Sequence, residues 1–394
     1  MLITEITIST DEPTEKQICE LYWQEDDNGK YAYKVKEIIE KTAFNGFQIN
    51  HIVKKNSAAV ASWWPCSRGC KRPYRFYSRS ELDTAVRKFN RGNLEPWVCT
   101  HCYANELIER GEREIAVRKK KCDYLLSNLK KLSESPIDIN RLNGKEIVYL
   151  LALLRHSGSE DLTQINPIIE NKSDRLAPTH LYSLRILNYL SSQDIICVSP
   201  KNDLAKIVFD EDDQIRFSPE SVEWLIPLSD GTSIAQLYKD LEEKVAEPNF
   251  YKENEEDLVN IEFLISEEEC IEYLYKVTNT HNLSFSVGEK TRTVLSKCLE
   301  TYSVSQTFSF IWNSGRNAAS FYMSHQVPKK YAANTMPGFI QRQSERALTN
   351  DWDVTGFRRD YDLKQSSLSR VVFNTVLRTD DGGFDRALPV PVPD

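Results

Sequence analysis

Four of the nine cysteines fall into two close pairs, and no other feature restricts the fold as much. The run Cys66-Ser67-Arg68-Gly69-Cys70 spaces one pair as C-x3-C. After 28 residues, Cys99-Thr100-His101-Cys102 spaces the second as C-x2-C. Two tight turns that each present two thiolates meet the need of Zn2+ for four soft ligands in a tetrahedron. Gly69 lets the first turn bend, and Arg68, Lys71 and Arg72 favour the thiolate form of their neighbours. A centre filled by four thiolates leaves no position for a substrate or an activated water, so its role would be structural. Such a site contributes on the order of 10–16 kcal/mol to the local fold. His101 lies inside the second turn, where its ring points away from the metal, and it is not counted as a ligand.

The spacer reads as a strand at Tyr74–Tyr77, a helix at Ser80–Asn90 and a strand entering Cys99. Ser80 serves as the expected N-cap, with acidic Asp83 three residues on. Taken together, Trp63–Tyr103 resembles a zinc ribbon with an inserted helix; the resemblance covers that segment alone and implies structural Zn2+ on Cys66, Cys70, Cys99 and Cys102. A redox pair, or four unrelated buried thiols, would not explain why Cys19, Cys122, Cys197, Cys270 and Cys298 are solitary. Those five lie in amphipathic segments and are expected in cores. Paired and odd-numbered cysteines favour a reducing compartment over a disulfide framework. The N-terminus has neither a basic start nor a small-residue cleavage site, and the expected address is cytoplasmic. The longest apolar run, Ile147–Leu154, falls short of the ~18 residues of a membrane span.

A net charge of −8 hides segregation along the chain. His51–Lys121 carries sixteen Lys and Arg against seven Asp and Glu, whereas Lys239–Lys276 carries four against thirteen. Tyr302–Arg378 is basic again, with ten against five. The local field counts for more than the sum when charges lie farther apart than a Debye length of ~10 Å. Around the cysteines, basic and aromatic residues interleave: Lys71, Arg72, Tyr74, Arg75, Arg79, then Arg87, Lys88 and Arg91. Arg and Lys contact phosphate, and exposed rings stack on unpaired bases. The alternative is a solvated face whose rings pack inward.

Upstream, Thr14–Gln24 reads as a helix. Tyr33–Thr42 and Phe47–Lys55 form two short amphipathic helices across a break at Ala43–Gly46, and the pair resembles a helix-turn-helix. Its second helix would offer Gln48, Asn50, His51, Lys54 and Lys55 to a groove; a plain helical hairpin is the alternative. Glu106–Leu132 continues as a long charged helix, a connector or a dimer contact. Farther on, helices at Gly144–His156, Leu162–Glu170 and Thr179–Ser191 precede β-rich runs at Ile195–Ser199, Ala205–Phe209 and Gln214–Phe217. That order resembles a winged helix, but its second turn, Asp210-Glu211-Asp212-Asp213, would repel phosphate. Ser229–Glu300 is acidic and helical, and Glu255–Asp257 and Glu267–Glu269 read as solvated helix starts favoured by the macrodipole.

The C-terminal part reads as three helices: one through Val304–Tyr322, one starting near Pro337 and one at Leu368–Leu377. The tail from Leu388 reads as extended chain. Arg316 and His325 share the first of these helices but have eight residues between them, too many for the Arg–His pair of a HEPN-type ribonuclease. With Arg342 and Arg358 they are the catalytic candidates. No P-loop, dinucleotide loop, nucleophile elbow or H-E-x-x-H run is present.

The expectation is thus a multidomain, mainly α protein with small β elements. Its parts would be a helix-turn-helix-like 1–60, a ribbon at 61–105, a connecting helix at 106–135, a winged-helix-like 136–228, an acidic helical 229–300 and a helical 301–394. Its expected role is a zinc-containing regulator that binds DNA or RNA, or a component of an antiviral defence system by analogy of layout. An effector enzyme and a protein–protein scaffold, with a protein partner or a second copy, are the alternatives; no membrane role is expected.

Overall fold

The computed structural model describes residues 4–210, 214–229 and 231–389. The fold is mainly helical with small antiparallel sheets, as expected. The chain divides into two compact units, Met1–Val117 and Arg118–Asp394.

In the first unit, β1 (Thr4–Ile8), β2 (Ser57–Pro65) and β3 (Pro73–Phe76) form one sheet in that order. β1 and β2 run antiparallel from Thr4↔Ala61 to Ile8↔Ser57, and β3 pairs through Ala59↔Phe76 and Ala61↔Tyr74. The register breaks between Ala61 and Pro65, which sets Trp63 and Trp64 into an irregular stretch. Successive residues Ala58–Ala61 of β2 are all buried, as in a central strand covered on both faces. Over this sheet pack α1 (Pro13–Trp23) and α3 (Gly46–Asn56), α2 (Val35–Thr42) packs on those two helices, and α4 (Arg79–Asn90) follows β3. Residues 1–60 and the 61–105 segment therefore share one sheet and one core, which runs from Ile18 and Ile49 to Phe76 and Leu82.

The two expected helices around Ala43 are present as α2 and α3. Ala43 ends α2 in the left-handed region at φ 58°, and Asn45 caps α3 through the Gln48 amide. Gln48 itself reaches back to the Asn45 N–H at 3.0 Å, so it closes a capping box instead of facing a groove. Asn50, His51, Lys54 and Lys55 are exposed. α5 (Thr100–Ser133) starts inside the second cysteine pair and includes the expected long helix.

The second unit is built around two cores. α6 (Gly144–Ser157), boxed by Asn143 and Glu146, buries nearly all of its side chains. α7 (His180–Ser192) follows. The helix expected over Leu162–Glu170 is absent except for a single 3-10 turn at Ile168–Glu170. Ser159 Oγ and Asp161 Oδ1 take the amide of Thr163, Leu162 is left-handed at φ 49°, and Pro167 has no N–H to donate.

The β runs are also shorter than expected. β4 (Cys197–Val198) pairs with β7 (Trp224–Leu225), outside the expected strands, while β5 (Val208–Phe209) and β6 (Ile215–Arg216) form the hairpin. Ala205 sits instead in a 3-10 turn capped by Asp203. Of the expected helix–helix–helix–hairpin order, the first and third helices and a hairpin are present and the second helix is not. Of the acidic turn, Asp210 holds Arg216 at 3.0 Å and residues 211–213 lie outside the described residues.

α8 (Ile234–Ala246), α9 (Phe250–Glu253), α10 (Glu255–Thr280) and α11 (Glu289–Leu299) make the acidic stretch. Glu255–Asp257 do occupy a helix start, but Glu267–Glu269 lie in mid-helix and are not solvated. Glu268 is 1% and Glu269 5% exposed, and arginines from distant segments neutralise them: Arg292 for Glu267 and Glu268, Arg359 for Glu269. α12 (Val304–His325) then packs on α10 and α11, and α13 (Lys329–Ala333) and α14 (Met336–Thr349) pack on α12, α14 also on α11. α15 (Ser367–Ser369) runs into a π-helical turn, Arg370–Val376, and α16 (Gly382–Asp385) closes the described fold. Residues 390–394 of the tail lie outside the described residues.

Candidate metal centre and basic face

Each cysteine pair is shaped by its own turn. Cys66 N–H donates to the Arg72 carbonyl at 2.8 Å and Gly69 N–H to the Cys66 carbonyl at 3.3 Å. Gly69 at φ 78° and Lys71 at φ 57° supply the left-handed backbone that folds Cys70 back beside Cys66. On the other side, Cys99 immediately precedes α5, and its Sγ accepts the Cys102 N–H at 3.4 Å, as an N-cap side chain does. The positive end of the helix thus faces sulfur. Ser67 ties the two turns together: its N–H and its hydroxyl both donate to the Trp97 carbonyl at 2.9 Å. Arg68 adds an ion pair to Glu106 in α5.

These turns bring the ligand atoms of Cys66, Cys70, Cys99 and Cys102 within 4.8 Å of one another. A tetrahedron with Zn–S bonds of about 2.3 Å has S–S edges of roughly 3.8 Å. Cys66 and Cys99 are buried, Cys102 is half-buried and Cys70 exposed. The Cys102 N–H holds the Cys99 thiol down at about 6, and the Cys99 N–H lowers Cys66 likewise. Crowding by the neighbouring sulfurs, Cys70 first, pushes Cys102 up to about 12. Four sulfurs sharing this little space can be ionised together only around a cation, and the cluster could hold a metal ion.

No family model, curated protein or solved structure matches this chain. The centre therefore has to be read from its own geometry. Of the solitary cysteines, Cys19, Cys197, Cys270 and Cys298 are buried as expected, and Cys122 is half-buried.

Around the cluster the expected spacer is only partly as read. β3 and α4 are present, but residues 93–99 form an irregular loop, not a strand. The Trp64 indole N–H donates to the Glu95 carbonyl at 3.2 Å, and the Trp97 N–H to the Trp64 carbonyl at 2.9 Å, which holds this loop without a ladder. The N-cap of α4 is Ser78, not Ser80: Ser78 Oγ accepts the Glu81 N–H at 3.3 Å. Asp83 accepts instead from the Tyr31 hydroxyl at 3.1 Å.

The nucleic-acid candidates separate into two groups. Arg79 is not available to a ligand. Its guanidinium donates to the carbonyls of Tyr22, Tyr33 and Leu21, and lies 4.3 Å from both the Tyr22 and Tyr31 ring centres. Tyr74 is half-buried and stacks on Trp64 at 4.4 Å with Trp97 edge-on at 4.8 Å, so it forms part of an aromatic wall. Lys54, Lys55, Lys71, Arg72, Arg75, Arg87, Lys88 and Arg91 are exposed. Among them Arg87 bonds within its own helix, to the Asp83 carbonyl and Thr84. A cleft of about 580 Å³ runs past Arg72, Arg75, Tyr77 and Trp97 to Cys99. Missed in the sequence was a second cleft of about 460 Å³ between α4 and the 94–97 loop, lined by Trp64, Lys88, Glu95 and Trp97. The aromatic spacing hinted at it, but no local pattern predicts the loop that forms its outer wall.

In the second unit the four catalytic candidates have different local surroundings. Arg316 lines a shallow cleft with His281, Ser320 and Met323, and that cleft includes neither His325, Arg342 nor Arg358. His325 stacks on Phe321 and bonds Ser324, Arg342 lies over the Phe339 ring, and Arg358 is exposed. The neighbouring Arg359, Asp360 and Asp362 are structural: they pair with Glu269 and Asp381, and with Lys276. No described helix is long and apolar enough to cross a membrane.

Proposed function

We propose that the first unit is a nucleic-acid-binding module whose basic face is displayed by a structural Zn2+ on Cys66, Cys70, Cys99 and Cys102. One observation carries this reading. Lys71 and Arg72 in the first cysteine turn, Arg75 on β3, and Lys88 and Arg91 at the end of α4 are exposed, and none has a carboxylate partner among the described residues. Cations that serve the fold behave otherwise in this protein: Arg292 and Arg359 pair with buried carboxylates, and Arg79 is spent on backbone carbonyls. Exposed cations without a carboxylate partner are suited to phosphate, whose bound counterions they release. Four thiolates suit Zn2+ above the harder divalent ions.

The test is a binding titration of full-length protein with DNA and with RNA across salt. Affinity should fall steeply as salt rises. Introducing Arg72→Glu, Arg75→Glu and Lys88→Glu should shrink the slope by roughly 0.7–0.9 for each phosphate no longer neutralised. Binding that ignores both salt and charge reversal would remove the proposal.

A further inference from the structure

We infer that the ligand of this face is single-stranded, with one unpaired base entering the cleft between α4 and the 94–97 loop while neighbouring phosphates lie on Arg72 and Arg75. This inference rests on the nucleic-acid reading above and deepens it. The two clefts of the first unit are adjacent: Tyr74 and Trp97 line both. One side of that shared wall carries guanidinium groups, and the other is a chamber lined by the rings of Trp64, Tyr74 and Trp97 and by polar residues of α4. At about 460 Å³ the chamber has the size of a small-ligand pocket, for which roughly 300–1,000 Å³ is usual.

A duplex offers its phosphates and the edges of its bases, but keeps the base faces stacked inside. A chamber lined in part by aromatic rings and lying next to arginines is therefore of no use to a duplex and matches a strand whose bases are unstacked. The two indole N–H groups are already spent on the Glu95 and Trp64 carbonyls, so neither is left to bond a ligand. Trp64, Tyr74 and Trp97 brace one another, which gives a pre-formed wall that loses little freedom on binding. Lys88 supplies a donor and Glu95 an acceptor at the same chamber, so either kind of base edge can be met.

The experiment compares, by fluorescence anisotropy with full-length protein, four probes of equal length: a DNA strand, an RNA strand, a blunt duplex and a strand with abasic positions. Stacking of one base corresponds to a roughly five- to hundredfold gain in affinity, and that is the expected loss for the duplex and for the abasic strand. Thr84→Phe, which fills the chamber from the exposed side of α4, should lower affinity for the single strand with the salt slope unchanged. Circular dichroism and metal content check that the variant is folded. Equal affinity for single strand, abasic strand and duplex, or an unaffected Thr84→Phe variant, would overturn the base chamber while leaving the electrostatic reading in place. Failure of all four probes to bind would overturn both.

Discussion

Cys70 Sγ lies 3.6 Å from Cys99 Sγ, although 28 residues separate them in the chain. That distance is close to the edge of a zinc–thiolate tetrahedron, roughly 3.8 Å. It joins the first turn to the start of α5 and so closes the stretch of chain that carries β3 and α4.

Metal removal should therefore act on the first unit. We expect one equivalent of zinc in the pure protein by elemental analysis, and loss of it in Cys66→Ser and Cys99→Ser. Chelation should unfold the region around β3 and α4, seen as rapid hydrogen exchange there, with protection in α6 and α10 retained. Full protection of β3 and α4 in metal-stripped protein would contradict this.

Arg79 and Arg75 are four positions apart and should respond oppositely. Arg79→Ala strips donors from three backbone carbonyls and two ring contacts, and should cost about 2–3 kcal/mol in chemical denaturation of the first unit. Arg75→Ala, an exposed change, should stay within about 0.5 kcal/mol and instead weaken nucleic-acid binding.

The Glu269–Arg359 pair, 3.0 Å apart and anchored also by Asp381, ties α10 to the loop before α15. Burial pushes the Glu269 carboxyl above its usual range, and Arg359 offsets only part of that. Arg359→Ala leaves the buried carboxyl uncompensated, with an expected loss of about 3–5 kcal/mol. Glu269→Gln, which removes the charge and keeps the shape, should cost less. The ordering of the two melting temperatures is the check.

His156 predicts a pH response in the second unit. Burial lowers its imidazole pKa, against an upward pull from the Asp174 carbonyl, and Arg370 adds to the lowering. The unfolded chain therefore takes the proton first. Stability is full above the unfolded value of about 6.5, and declines as pH falls through it toward the lower folded value. Denaturation at pH 7 and pH 5 should show this loss, and His156→Gln should reduce it. An identical pH dependence in the variant would place the effect elsewhere.

Much of the helical order was legible in the amino-acid sequence because its signals are local. The apolar spacing of α6, α7 and α12 needs nothing beyond a few turns of chain. The failures share a cause. The Leu162–Glu170 run had helical apolar spacing, but Ser159 and Asp161 captured its amides first. Cys197–Val198 found its strand partner at Trp224–Leu225, beyond an intervening hairpin. Glu267–Glu269 looked solvated because the arginines that neutralise them come from other segments.

The candidate site divides in the same way. Spacing alone placed two thiolates on each turn, since backbone reach fixes what four or five residues can do. Which cations remain free was decided only in three dimensions. Arg75 projects from a strand into solvent, while Arg79 opens the next helix beneath Tyr22 and Tyr31, whose positions lie about fifty residues upstream. A guanidinium's availability depends on the carbonyls and rings that surround it after folding, and those partners are invisible to any local pattern.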